Sequence, residues 1–273
     1  MGLKNVIFIS CFFALTSVFS QSSASSNIYV FTIEAPQLDT VKTIRIYLPE
    51  AYKDSEEGYP VIYMHDAQNL FDTTTAFAGE RGVDEFLDNQ EGQQVIVIGI
   101  DHGNEKRIAE LTPFAHEKYG GGEAKAYIEF ITETLKPHVD STFRTRPDAP
   151  NTSIMGSSLG GLVSFYAAVK HPEIFGKAGV FSPSFWYSDE IFAFAEASEV
   201  SPSSKFYFLG GTSEGKAMIP DIVRMKDMMI GKGIPKENLR VNIVEGGEHN
   251  ESFWSSEFPE AFKWLIQPVS PAK

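Results

Sequence analysis

The sequence predicts an α/β protein with a mostly parallel eight-stranded sheet flanked by helices. Three observations point there. Short apolar runs recur at 28–33, 43–48, 61–64, 95–100, 152–155, 178–181, 206–209 and 241–244. Segments of helical periodicity fall between the later runs, at 124–139, 159–170, 220–232 and 251–266. A glycine-flanked serine stands where the fifth run ends and a helical segment begins. Strands that alternate with helices can bury both faces only as a doubly wound sheet.

The chain opens with Lys4 and an uncharged, largely apolar run over 6–19, followed by Ser20-Gln21-Ser22-Ser23-Ala24-Ser25-Ser26. That pattern reads as a signal peptide over 1–20, cut before Gln21 or, as a second choice, after Ala24. The run of 14 residues falls short of a membrane crossing, which needs about 20. Export to the periplasm or beyond is therefore expected, with no membrane span. The lone cysteine, Cys11, lies inside the leader, so a mature chain could form neither a disulfide nor a thiolate metal site. Removing Lys4 with the leader takes the formal charge from −13 to −14. Such a field repels phosphate backbones and anionic lipid, which argues against nucleic acid as a partner.

Residues 21–27 read as a flexible mature N-terminus and 28–268 as a single domain. The first two runs alternate and are joined by Ala35-Pro36-Gln37-Leu38-Asp39, which suits an antiparallel hairpin at one edge. The last six runs read as buried parallel strands. The stretch 184–204 carries aromatics early and serines late, and could cap a cleft.

Ser158 lies in Gly156-Ser157-Ser158-Leu159-Gly160, between a strand and a helix, which is the context of a nucleophile elbow. The turn is sharp enough that positions two residues either side must be small. The serine hydroxyl then stands at a helix N-terminus, where dipole and N–H groups favour an oxyanion. A serine needs a base, and chain order in such folds places acid and then histidine downstream. Of six histidines, only His171 and His249 follow Ser158, and His171 falls at the far end of its helix. His249, in a polar loop after the last run, is the candidate base. Glu214, after the seventh run, is the candidate acid, with Asp221 as competitor inside the next helix. Backbone N–H groups of Leu159 and of Gln68, or failing that Ala67, are the candidate oxyanion donors.

Trp186 and Trp254, with Phe185, Tyr187 and Phe253, suggest an aromatic-walled substrate pocket as much as core packing. Tyr119-Gly120-Gly121-Gly122 reads as a helix lead-in, and Arg107 with Glu110 as a local pair. No histidine and carboxylate spacing resembles a metal site, and the chemistry requires no cofactor.

Five segments together are similar to the esterase D-like branch of the α/β hydrolases: Tyr63-Met64-His65-Asp66-Ala67-Gln68-Asn69-Leu70-Phe71, Gly156 to Gly161, Phe181-Ser182-Pro183-Ser184-Phe185-Trp186, Gly211-Thr212-Ser213-Glu214 and Gly247-Glu248-His249-Asn250. That branch includes enterochelin, feruloyl and acetyl-xylan esterases. The resemblance implies an α/β-hydrolase fold and a carboxylic-ester hydrolase with Ser158, Glu214 and His249 as its triad. Its substrate would be a small-molecule or carbohydrate ester, either acylated carbohydrate or a trilactone siderophore. Relatives usually carry glycine where Ala67 stands. A hydrolase fold serving as an inactive binding or scaffold protein is the alternative, and it predicts that Ser158 and His249 do not meet.

Overall fold

The computed structural model describes residues 22–267, so the leader assigned to 1–20, with Cys11, lies outside the described residues. Eight strands form one sheet in the order β1-β2-β4-β3-β5-β6-β7-β8. They are β1 Ile28–Ala35, β2 Thr40–Tyr47, β3 Val61–His65, β4 Ile96–Ile100, β5 Thr152–Ser157, β6 Lys177–Phe181, β7 Lys205–Gly211 and β8 Leu239–Val244. The hairpin β1–β2 is antiparallel and pairs antiparallel with β4, and every later pairing is parallel. Strands β3 to β7 are buried along their whole lengths, as their apolar runs require. β8 departs from the expectation of burial. It is the edge strand, and its residues are half-buried or exposed.

The helices are α1 Val83–Asn89, α2 Arg107–Leu111, α3 Ala124–Glu129, α4 Lys136–Thr142, α5 Leu159–Lys170, α6 Glu190–Ala197, α7 Met218–Gly231 and α8 Glu251–Ile266. The segment predicted as one helix over 124–139 contains a π-helical stretch, Phe130–Leu135, between α3 and α4. Its wider turn still buries Phe130, Ile131 and Leu135. One core lies between the sheet and the apolar faces of α3 to α7, and a second between the sheet and α1 with α8. No helix among the described residues is long and apolar enough to cross a membrane.

Two anchorages matter for the site. Ser22, Ser23, Ser25 and Asn27 hydrogen-bond to Asp72, Glu80, Asp84 and Asp88, so the expected flexible lead-in carries side-chain contacts to the domain. At the opposite end, Lys177 Nζ donates to the Gln267 carbonyl and Lys205 Nζ to those of Trp264 and Gln267. The carbonyl of Trp264 in α8 and that of Gln267 just beyond it are thereby bound to the first residues of β6 and β7.

Candidate active site

The site assembles at the carboxyl edge of the parallel strands. β5 ends at Ser157, and Ser158 turns the chain into α5 with φ 59° and ψ −120°, a left-handed conformation that a side chain rarely adopts. Neighbouring glycines make the turn possible. A Cβ on Gly156 would lie 2.7 Å from the carbonyl carbon of Gly160, and one on Gly161 would lie 2.6 Å from the Phe181 oxygen. The Ser158 N–H donates to that same Phe181 oxygen at 2.9 Å, fixing the elbow to β6.

Ser158 Oγ lies 2.9 Å from His249 Nε2, and His249 Nδ1 lies 2.6 Å from Glu214 Oε2. These distances fit a proton on Nδ1 donated to the carboxylate and the serine hydroxyl donating to Nε2. The imidazole is partly exposed, at 38%, whereas the Glu214 side chain is wholly buried. Glu214 Oε1 accepts from the Gly211 N–H at 2.5 Å and from Ser182 Oγ at 2.9 Å, so both carboxylate oxygens are occupied. Asp221, the competing acid, sits in the first turn of α7, outside this chain of hydrogen bonds. The loops bearing Glu214 and His249 are bound together: Thr212 donates to the Val244 carbonyl, Ser213 to that of Gly247, and Gly246 to Thr212 Oγ1. Gly211 and Gly247 touch so closely that a side chain on Gly211 would strike the Gly247 backbone.

Asp66, with φ 56°, turns the chain after β3 and delivers Ala67 and Gln68 beside the elbow. A Cβ on Gly160 would lie 3.3 Å from His65 Cβ, which places this turn against the start of α5. The N–H groups of Leu159 and Gln68 donate to no acceptor among the described residues. The Gln68 side chain is engaged sideways, donating to the His102 carbonyl and accepting from its N–H. Ala67, in a place where glycine is usual in the similar family, is fully buried. Its methyl packs at Gly99 of β4, where a second Cβ would come within 2.8 Å. The missing side chain of Gly99 therefore makes room for the methyl.

Behind the turn, Arg107 grips Asp66 with two hydrogen bonds, at 2.7 and 2.8 Å, and Lys42 pairs with Glu110 at 2.7 Å. The local Arg107–Glu110 pair expected from their spacing is thus replaced by two pairings to β2 and to the turn after β3. Burial would raise the Asp66 carboxyl, but the guanidinium outweighs it and holds the group below the usual carboxylate range. His65 is enclosed, with Nδ1 2.8 Å from the Tyr127 hydroxyl, and burial lowers it to about 4, so it stays neutral near pH 7.

A cleft of about 240 Å³ opens at Ser158, lined by Tyr119, Trp186 and Tyr187 together with Leu159, Arg107 and Ser184. Trp186 is 53% exposed and lines it. Trp254 does not line it, contrary to expectation. It is buried in the core beneath α8, with its ring edge-on to His249 at 5.0 Å and Nε1 donating to Ser182 Oγ at 2.8 Å. The Gly120–Gly122 stretch is more than a helix lead-in: all three glycines have positive φ, and Tyr187 donates to the Gly120 carbonyl, seating Tyr119 at the rim. Ser182 and Ser184 carried no assigned role in the sequence, although both follow β6 at the active edge. Ser184 Oγ lies 3.3 Å from Ser158 Oγ and is the donor when Ser158 gives its proton to His249.

The comparisons agree with this architecture. A family profile described as "Putative esterase" matches residues 35–265. The chain is similar to the uncharacterized protein YbbA of Bacillus subtilis (strain 168), 25% identical over 233 residues that span 81% of this chain and 90% of that one. It is also 24% identical to the endo-1,4-beta-xylanase/feruloyl esterase of Xylanibacter ruminicola, over 84% of this chain and 30% of that longer protein. Among solved structures, the siderophore hydrolase EstA of Aspergillus nidulans superposes with a TM-score of 0.70 at 17% identity, over 88% of this chain and 95% of that one.

Proposed function

The chain belongs to the Esterase family and is a carboxylic-ester hydrolase, and from that premise we propose an exported serine esterase working through Ser158, His249 and Glu214. The observation that carries this reading is the continuous chain of contacts from Ser158 Oγ through His249 to Glu214, at 2.9 and 2.6 Å. An inactive scaffold has no need of it. His249 Nε2 takes the Ser158 proton as Oγ attacks the ester carbonyl. The developing oxyanion is held by the Leu159 and Gln68 N–H groups, which have no other acceptor among the described residues. Glu214 fixes the imidazole tautomer and stabilises the imidazolium, which then protonates the departing alkoxide. Water, activated by the same histidine, releases the acid.

The cleft supports an ester whose acyl side carries an aromatic ring. Its volume of about 240 Å³ and its walls of Tyr119, Trp186 and Tyr187 suit one ring and its linker rather than a whole macrocycle. Acylated carbohydrate and siderophore trilactone are the two substrate classes in view. A feruloyl esterase and a siderophore hydrolase among the similar proteins support the pair of them. Hydrolysis of p-nitrophenyl acetate by the wild type and by Ser158→Ala tests the chemistry, and equal rates overturn it. A panel of acetylated xylan, methyl ferulate and enterobactin, ranked by kcat/KM, tests the substrate. An aromatic preference predicts that methyl ferulate or enterobactin leads, and acetylated xylan in first place removes it.

A further inference from the structure

The proposed chemistry needs three separate segments in register: the turn after β3 that carries Gln68, the elbow at Ser158, and the loop that carries His249. One buried ion pair touches the neighbours of all three. Arg81 and Glu251 are almost completely enclosed, with side chains 1% and 5% exposed. Arg81 Nε and Nη2 donate to Glu251 Oε2 at 2.9 and 2.6 Å. Nη2 also donates to Ser157 Oγ, one residue before Ser158, at 2.7 Å. The other Glu251 oxygen accepts from Asn69 Nδ2, one residue after Gln68, at 2.9 Å. Glu251 itself is two residues beyond His249 and opens α8. The Arg81 backbone is held as well, donating to the Asn69 carbonyl and accepting from Ser255 Oγ.

We propose that Arg81 and Glu251 form a positioning pair for ester hydrolysis, a role that rests on the Ser158 reading above. Stability alone gives no reason for such a pair, because the desolvation of two enclosed charges commonly cancels their attraction and apolar residues of similar volume do as well. Apolar residues cannot, however, hold Ser157 and Asn69 at fixed points. Glu251 uses one oxygen on Arg81 and the other on Asn69, and Arg81 Nη2 donates to both Glu251 and Ser157. The planar fork of arginine makes this double engagement possible, whereas a lysine ammonium is a single point charge. Misplacing reacting groups by about 1 Å costs on the order of 10²-fold in rate, so slack here appears in kcat.

The test uses p-nitrophenyl acetate with Arg81→Lys, Ser157→Ala and their double variant, alongside Ser158→Ala and thermal melts. Arg81→Lys is expected to lower kcat by roughly 10- to 100-fold with KM within about twofold. Ser157→Ala, a small change that leaves the ion pair intact, is expected to lower kcat several-fold. In the Arg81→Lys background that second loss should disappear, since the contact it removes is already gone. A purely structural pair moves the melting temperature but leaves kcat of the folded protein at the wild-type level. Wild-type kcat in Ser157→Ala, or losses that simply multiply in the double variant, overturns the positioning role while leaving Ser158 chemistry standing. If the wild type shows no hydrolysis that Ser158→Ala abolishes, the reading of the site fails and takes the pair with it.

Discussion

The front and the back of the candidate site are built from different material. The front, facing the cleft, is aromatic and open: Trp186 is 53% exposed and His249 38% on its side chain. The back is polar and closed. Glu214, Arg81 and Glu251 are enclosed, and Trp254 donates to Ser182, which in turn donates to Glu214. A polar group out of reach of water is costly unless satisfied, and its partners leave it a single arrangement. The division separates polar groups locked in fixed contacts behind the site from aromatic surface open to a ligand in front of it.

Substitutions can break or sharpen this contrast, beginning where front and back meet. Ser158→Ala should lower kcat by about 10⁶-fold with the melting temperature little changed. Glu214→Gln, equal in shape but unable to stabilise an imidazolium, should lower kcat by roughly 10³- to 10⁴-fold at unchanged KM. Together these place the proposed triad at the junction, and near wild-type turnover in Glu214→Gln would remove the acid from it. Trp254→Phe keeps the ring against His249 but removes the Nε1 donor to Ser182. A loss of roughly 3- to 10-fold in kcat, again with KM unchanged, is expected from a hydrogen bond worth about 1 kcal/mol. Trp186→Ala should do the opposite, raising KM for an aromatic ester several-fold while kcat holds. If the two tryptophans gave the same kinetic signature, the division of front from back would fall.

The smallest expected effect concerns pH and belongs to the back alone. Burial holds His65 at about 4 in the folded chain, below the usual value of 6.5. The neutral form is therefore favoured by folding. Its contribution to stability is complete above pH 6.5 and is lost as pH falls from there through about 4. His65→Gln should flatten the acid side of a melting-temperature profile by a few degrees. An identical slope in the variant would show that other groups govern it.

Much of the front was legible in the sequence. The elbow announces itself through Gly156, Ser158 and Gly160, and His249 follows from chain order. All eight strands follow from apolar runs, which are buried along their whole lengths in β3 to β7, where neighbours cover both sheet faces. Behind the site, Glu214 follows from chain order, but the ion pair was not legible because its partners are remote: Arg81 and Glu251 stand 170 residues apart. Local spacing misled in the same way at Arg107 and Glu110, where Asp66 and Lys42, supplied by β-strand ends far away in sequence, took both partners. Trp254 lies on a helix whose period marks an apolar stripe but cannot say whether that stripe meets core or substrate. Only the packing of α8 against the sheet decided it.

The binding of the Trp264 and Gln267 carbonyls, at the end of α8, by Lys177 and Lys205 has a mechanical consequence. A load applied to the chain beyond Gln267 meets β6 and β7 before it meets the helix that begins beside His249. Immobilisation on a surface or fusion to a second protein through the C-terminal end should therefore leave turnover intact, whereas the same attachment within 245–250 would pull directly on the histidine loop.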